Sequence, residues 1–150
     1  MPTIRRLVEA DIPGLLDLWE RSVVKTHHFL TPVDIAALKP EVEQALLALA
    51  VWVVELNGKP AGFAGLNGDK VEALFIDPDA MGAGLGTRLL RHARELRGPE
   101  ATLLVDVNAD NPDATAFYLA RGFVQTGRSE TDGAGRPFPL LHLEQKPELP

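Results

Sequence analysis

VEALFIDPDAMGAGLGTRLLRHA, residues 71–93, decides how this chain folds. A β-strand pattern runs from Val71 to Ile76, three glycines alternate at Gly82, Gly84 and Gly86, and an amphipathic helix pattern follows at once. Glycine reaches backbone conformations closed to other residues and lets the main chain approach a phosphate without a Cβ in the way. The first turn of a helix carries unsatisfied N–H donors and the positive end of the helix dipole. The segment therefore reads as a strand–loop–helix unit that holds a phosphorylated ligand.

The pattern continues on both sides. Thr3–Val8 reads as a first strand, and Asp11 opens a helix whose Ile12, Leu15, Leu16 and Trp19 share one face. The periodicity weakens over Lys25–Thr31 and restarts at Pro32. A second helix is expected over Val33–Leu49, with Pro40 as the place where it breaks. Ala50–Leu56 and Pro60–Leu66 read as strands joined by Asn57-Gly58, a strong hairpin signal, and Asn67-Gly68 turns the chain into strand Lys70–Ile76.

Past the glycine loop, Leu85, Leu89, Leu90, Ala93 and Leu96 form a helix's apolar face. Arg88, Arg91, Arg94 and Arg97 recur every three residues as a solvated face, with Arg88 placed to feel a bound phosphate. Thr102–Val107 alternates into a strand. Asn111-Pro112-Asp113 supplies a cap, a first-turn proline and an early acid, and Gly122 suits a left-handed cap after Arg121. Phe123–Arg128 and Pro139–Leu143 read as a last hairpin across DGAGR. The order β-α-α-β-β-β-α-β-α-β-β gives an α+β fold with α/β/α layers. One mixed, largely antiparallel sheet of about seven strands carries four helices on its two faces, as a single domain over residues 1–150.

Composition bounds the function. At 150 residues, 45% hydrophobic and 24% charged, the chain is of ordinary globular make-up. It has no cysteine, hence no disulfide and no thiolate nucleophile, and its four histidines (His27, His28, His92, His142) lack metal-pair spacing, so no metal is expected. A net charge of −6 without a basic, aromatic-interleaved stripe argues against nucleic acid. No apolar run is long enough to span a bilayer and no targeting segment is visible, which points away from membranes and to the cytoplasm. The apolar final strand, Phe138–Leu143, is a candidate sheet edge, leaving monomer and homodimer both open.

The glycine loop lacks the Gly-Lys-Ser/Thr ending of a Walker A motif. Gly82 and Gly84 match the first two glycines of a Rossmann fingerprint, and Asp106 stands at a ribose-binding distance. The third glycine position falls at Thr87, however, and hairpin-like strands rather than further βα repeats come next. A second motif, Asn111-x-x-Ala114-x-x-Phe117-Tyr118-x-x-x-Gly122-Phe123, follows after one more strand. In this order and spacing the pair resembles the GNAT superfamily of N-acetyltransferases, over about Ile4 to Leu143. Within it the WERS…THHFL segment, the ALFIDPD strand end and the late GRSETDGAGRPFPLL segment resemble small bacterial acetyltransferases.

The resemblance implies acetyl-CoA as co-substrate and a sheet splayed between its fourth and fifth strands, with the pantetheine arm lying in the splay like an added strand. It implies that the loop Met81, Gly82, Ala83, Gly84, Leu85, Gly86 and Thr87 holds the pyrophosphate through backbone N–H groups. Leu74, Phe75 and Ile76 match the strand end that bonds the pantetheine. Asn111 matches a position that contacts the same arm, and Ala114, Phe117 and Tyr118 match the helix beside the thioester. The family usually has Arg or Gln where this chain has Met81, so binding at that position falls to the backbone donors.

Acetyl transfer to a primary amine needs a neutral nucleophile, although a lysine-type amine has a reference pKa near 10.4. It also needs donors for the oxyanion, which strand N–H groups near Phe75 supply, and a proton for the leaving thiolate. Tyr118, the chain's one tyrosine, matches the family's general acid. Glu72, Asp106 and water remain open as the base. The acceptor amine, a small molecule or a protein lysine, is expected opposite the cofactor, near Trp19, His27, His28 and Phe29. The alternative function is a module that senses acetyl-CoA without turnover; release of free CoA separates the two.

Overall fold

The computed structural model describes residues 2–147. In chain order its elements are β1 (Thr3–Arg6), α1 (Ile12–Thr26), α2 (Pro32–Ala48), β2 (Ala50–Leu56), β3 (Lys59–Asn67), β4 (Lys70–Ile76), α3 (Leu85–Arg97), β5 (Leu103–Asn108), α4 (Pro112–Leu119), β6 (Val124–Ser129) and β7 (Leu140–Gln145). The strands form one sheet in the order β1-β2-β3-β4-β5-β7-β6. Asn57 and Gly58 both take positive φ (55° and 77°), as the tight hairpin between β2 and β3 requires.

The helices cover opposite faces of the sheet. Leu15, Leu18, Trp19 and Val23 of α1 and Leu46 of α2 pack on Val51, Val53 and Phe63. On the other face Leu85 and Leu89 of α3 meet Val54, Ala61 and Ala64, while Leu90, Ala93 and Tyr118 join Val105, Val107, Phe123 and Leu143. Full burial of each valine, leucine or phenylalanine among them is worth about 1.5–3 kcal/mol, so these rows fix which face each strand presents.

Three expectations are corrected. Helix α2 runs unbroken through Pro40. Pro40 and Ala36, whose carbonyl loses the missing N–H, are both exposed, so water serves that carbonyl. A reciprocal capping box also holds the start of α2: the Asp34 N–H donates to Thr31 Oγ1 (3.1 Å) and the Thr31 N–H to the Asp34 carboxylate (3.0 Å). Arg94 is not on the solvated face but buried, donating to Gln145 Oε1 (2.7 Å) and to the carbonyls of Gly98 and Ala101. The last strand is not an edge: β7 lies between β5 and β6 and buries Leu143, leaving the polar β6 and the short β1 outermost. Among the described residues no helix is long and apolar enough to cross a membrane.

The feature that makes the site is the junction of β4 with β5. They pair in parallel, while the other neighbours run antiparallel, and only through Lys70↔Leu104 and Val71↔Val105. Beyond these two pairs the strands part. In the β3–β4 pairing Gly65 faces Ala73 and Leu66 faces Val71, which leaves Glu72 as the extra residue of a bulge. A bulge bends and twists its strand, and this one sits where β4 leaves β5.

Candidate active site

A cavity of about 630 Å³ lies in the gap between the parted strands. On its β4 wall Leu74, Phe75 and Ile76 pair with Ala64, Phe63 and Gly62 of β3, and their other edge has no strand beside it. Such an edge is a template for an extended ligand. At the end of the gap Gly82 and Gly84 take φ values of 86° and 77°, and the space around both is open. Gly84 caps α3, whose first ladder bond runs from the Arg88 N–H to the Gly84 carbonyl (3.1 Å). The N–H groups of Leu85, Gly86 and Thr87 precede it and have no acceptor within the helix. Met81, Gly82, Gly84, Leu85, Gly86 and Thr87 all line the cavity, with Ala83 beside them in the loop. At Gly86 a Cβ would lie 3.2 Å from Phe117 Cζ, so glycine lets the first turn of α3 press against α4.

The opposite wall belongs to α4. Asn111 is buried at its N-cap, its Oδ1 accepting from the Ala114 N–H (3.2 Å). Ala114, Phe117 and Tyr118 line the cavity from this helix. The Tyr118 ring is held edge-on between Phe117 (5.1 Å) and Phe123 (5.3 Å). Burial pushes its phenol well above the ordinary tyrosine value, so it keeps its proton at all working pH. Arg121 folds back over the first turn of α3: its Nε donates to Thr87 Oγ1 (2.9 Å) and its guanidinium stacks 3.7 Å over Phe117.

A second cavity, of about 590 Å³, opens under the α1–α2 loop. It shares His27, Glu72, Ala73, Phe75 and Asn108 with the first. Trp19 and Phe29 line it, whereas His28 is exposed, against the Lys25 carbonyl, and lines neither cavity. His27 is thus the histidine at the junction, its ring against Phe29 and Phe75. The Thr26 hydroxyl donates to the Ser22 carbonyl (2.8 Å), so its oxygen accepts from His27 Nδ1–H (2.7 Å). Nε2 then carries the lone pair, towards which Asn111 Nδ2 points at 3.3 Å. Burial, and next the charge of His28, push this imidazole below the ordinary histidine value, so it is neutral at pH 7.

The two carboxylates differ. Both Asp106 oxygens are engaged, one by Lys70 Nζ (2.7 Å) and the other by His142 Nδ1 (2.6 Å), and Ser129 Oγ lies 2.6 Å from His142 Nε2. Burial opposes the Asp106 charge, but Lys70 and His142 outweigh it and hold the carboxyl below its usual range. Glu72 stands on the shared wall, half-exposed, with Lys70 Nζ 3.7 Å away. Among the described residues no group of three or more His, Asp or Glu is arranged to hold a metal.

Sequence reasoning missed Thr26, Asn108 and Arg121 as members of this site. A hydroxyl just before His27 is a local signal for its tautomer; Asn108 and Arg121 reach the cleft only through tertiary packing.

The geometry has counterparts among known proteins. A family model described as an acetyltransferase (GNAT) domain matches residues 48–125. Peptidyl-lysine N-acetyltransferase YjaB of Salmonella typhimurium is 42% identical over 95% of this chain and 97% of its own length. Peptidyl-lysine N-acetyltransferase YiaC of Escherichia coli is 34% identical over 80% of this chain and 82% of its own. The solution structure of apo YjaB from Escherichia coli superposes with a TM-score of 0.87 at 40% identity, over 96% of this chain and 97% of that one. PaiA N-acetyltransferase from Thermoplasma acidophilum, solved with coenzyme A, shares the fold at a TM-score of 0.77 and 18% identity, over 97% and 99% of the two chains.

Proposed function

This chain belongs to the GNAT family and is an acetyl-CoA-dependent N-acetyltransferase; we propose that its acceptor is the side-chain amine of a protein lysine, which attacks directly in a ternary complex. One observation carries the reading: the two cavities meet at His27, whose Nε2 faces only Asn111 Nδ2, at 3.3 Å. The named activity of the relatives 42% and 34% identical to this chain supports lysine as the acceptor.

The parted strands and the open glycine loop suit an acyl-CoA: a strand edge for the pantetheine, and unpaired N–H groups at a helix start for the pyrophosphate. The bound thioester supplies the acetyl group. Leu74–Ile76 and Asn111 orient the pantetheine arm, and Gly82–Thr87 bind the phosphates. The lysine ammonium loses its first proton to water as it enters the site; His27 Nε2 accepts the second, which the neutral nitrogen sheds on attack, and Thr26 holds the ring in that tautomer. Tyr118 keeps its proton at Oη for the departing sulfur. Asp106, paired twice and held at low pKa, is a poor base; its part is to fix Lys70 and His142. Glu72 draws the cationic side chain to the junction. The scheme serves monomer and homodimer alike, and the enzyme works in the bacterial cytoplasm.

The test is turnover on lysine peptides with acetyl-CoA. Free CoA release matched one-to-one by acetyl-lysine in the mass spectrum is the expected result. Tight acetyl-CoA binding with no CoA release on any amine would leave only a sensing module.

A further inference from the structure

The second cavity is much larger than a lysine side chain. The arm of a lysine has five heavy atoms, on the order of 150 Å³ at liquid packing, against a cavity of about 590 Å³. The surplus space is apolar: its floor is Val51, Phe63 and Gly65 of the sheet, and Leu38, Val42 and Leu46 of α2 close its side. Charge is confined to the rim, at Glu72 on the junction wall and at Glu41, Asp132 and Arg136 by the mouth.

Two loops flank the mouth. Arg136 in the β6–β7 loop bridges to Glu41 of α2 (2.7 Å) and to Asp132 (3.3 Å). Phe138 from the same loop meets Phe29 of the α1–α2 loop, ring centroids 6.0 Å apart. Against the apolar floor a peptide main chain would lose water from its N–H and C=O groups without finding partners. That floor accepts an apolar side chain at little cost.

We infer that this cavity is a specificity subsite that takes a large apolar side chain, of the leucine, methionine or phenylalanine kind, adjacent in sequence to the target lysine. The inference rests on the lysine reading above. The carboxylate of Glu72 stands where the two cavities join and suits the lysine ammonium, while the apolar chamber beyond suits its neighbour. The lysine arm thus reaches the junction at His27 through this cavity, and its neighbour's side chain fills the apolar space that remains beside it. Removal of apolar contacts in such a pocket changes kcat/KM by about 10- to 200-fold per group, so the flanking residue decides which lysines are modified.

The experiment compares equal-charge peptides that hold one lysine, flanked by leucine or phenylalanine in one set and by glycine in the other. Wild type is expected to favour the apolar set by about tenfold or more in kcat/KM, mainly through KM. Ala45→Phe, which puts a ring into the chamber from α2, is expected to bring the ratio of the two sets towards one. Val42→Thr, nearly isosteric and polar, is expected to lower the same ratio without filling the space, which keeps the test valid should Ala45→Phe fail to fold. Equal turnover of both sets by wild type, or an undiminished ratio in both variants, overturns the subsite and leaves lysine acetylation standing. Turnover of 2-phenylethylamine with none of any lysine peptide overturns the lysine reading, and the subsite with it.

Discussion

Tyr118→Phe is expected to lower kcat by about 10²- to 10³-fold while acetyl-CoA affinity stays near that of wild type. The substitution removes one oxygen from a ring fixed by Phe117 and Phe123 and leaves those edge contacts in place. It adds no volume, and it spares the glycine loop and the β4 edge proposed to hold the cofactor. What it removes is the one phenol on the cavity wall, which burial keeps protonated. A thiol has a reference pKa near 8.5, so a sulfur that departs without a proton leaves as a charged thiolate. Steady-state kinetics and calorimetric titration of acetyl-CoA check the two halves separately. Unchanged kcat removes Tyr118 from the chemistry; a large loss of affinity assigns it to cofactor binding.

His27→Gln has the second large effect, a fall in kcat of about 10²-fold together with a change in pH dependence. The imidazole is held below the ordinary histidine value, first by burial and then by His28. A base must be unprotonated, so wild-type kcat falls as pH drops through that depressed value and is flat above it. In kcat/KM a second rise continues towards high pH, because free lysine sheds its own proton near 10.4. His27→Gln is expected to lose the acid-side fall and to keep the alkaline rise. Glutamine keeps a polar group near the Nε2 position but has no titrating nitrogen, so a merely structural role for His27 would leave the acid limb where it was. Retention of that limb in the variant moves the base to Glu72 or to water.

Much of this was legible along the chain because it is local. The two Asn-Gly turns set β2, β3 and β4, the alternating glycines set the loop, and Asn111 capped α4 as its position before Pro112 implied. The misplaced features depend on contacts distant in sequence. The apolar residues of β7 say that it is buried but not that it slips between β5 and β6. Arg94 keeps the period of its exposed neighbours, yet Gln145, fifty-one residues away, draws it inward. Pro40 predicts a break wherever its lost hydrogen bond would be buried, and here the bond faces water.

The site divides in the same way. The strand, loop and helix residues proposed for the cofactor follow from one contiguous stretch and a second motif, and the fold brings them to one cavity. The proposed base does not follow. Asp106 and Glu72 look equivalent in sequence, and only cross-strand pairing with His142 and the bridge to Lys70 distinguishes them. His27 and His28 are adjacent and chemically identical, yet one turn at the end of α1 buries the first between two cavities and leaves the second exposed.

Amide hydrogen exchange with and without acetyl-CoA reads the β4 edge and the start of α3 residue by residue and so locates the bound cofactor. Slowed exchange at Leu74–Ile76 and at Gly82–Thr87, with little change in the outer strands β1 and β6, is the expected result. Saturating acetyl-CoA that leaves those two segments unprotected would mean that the gap between β4 and β5 is not where the cofactor binds.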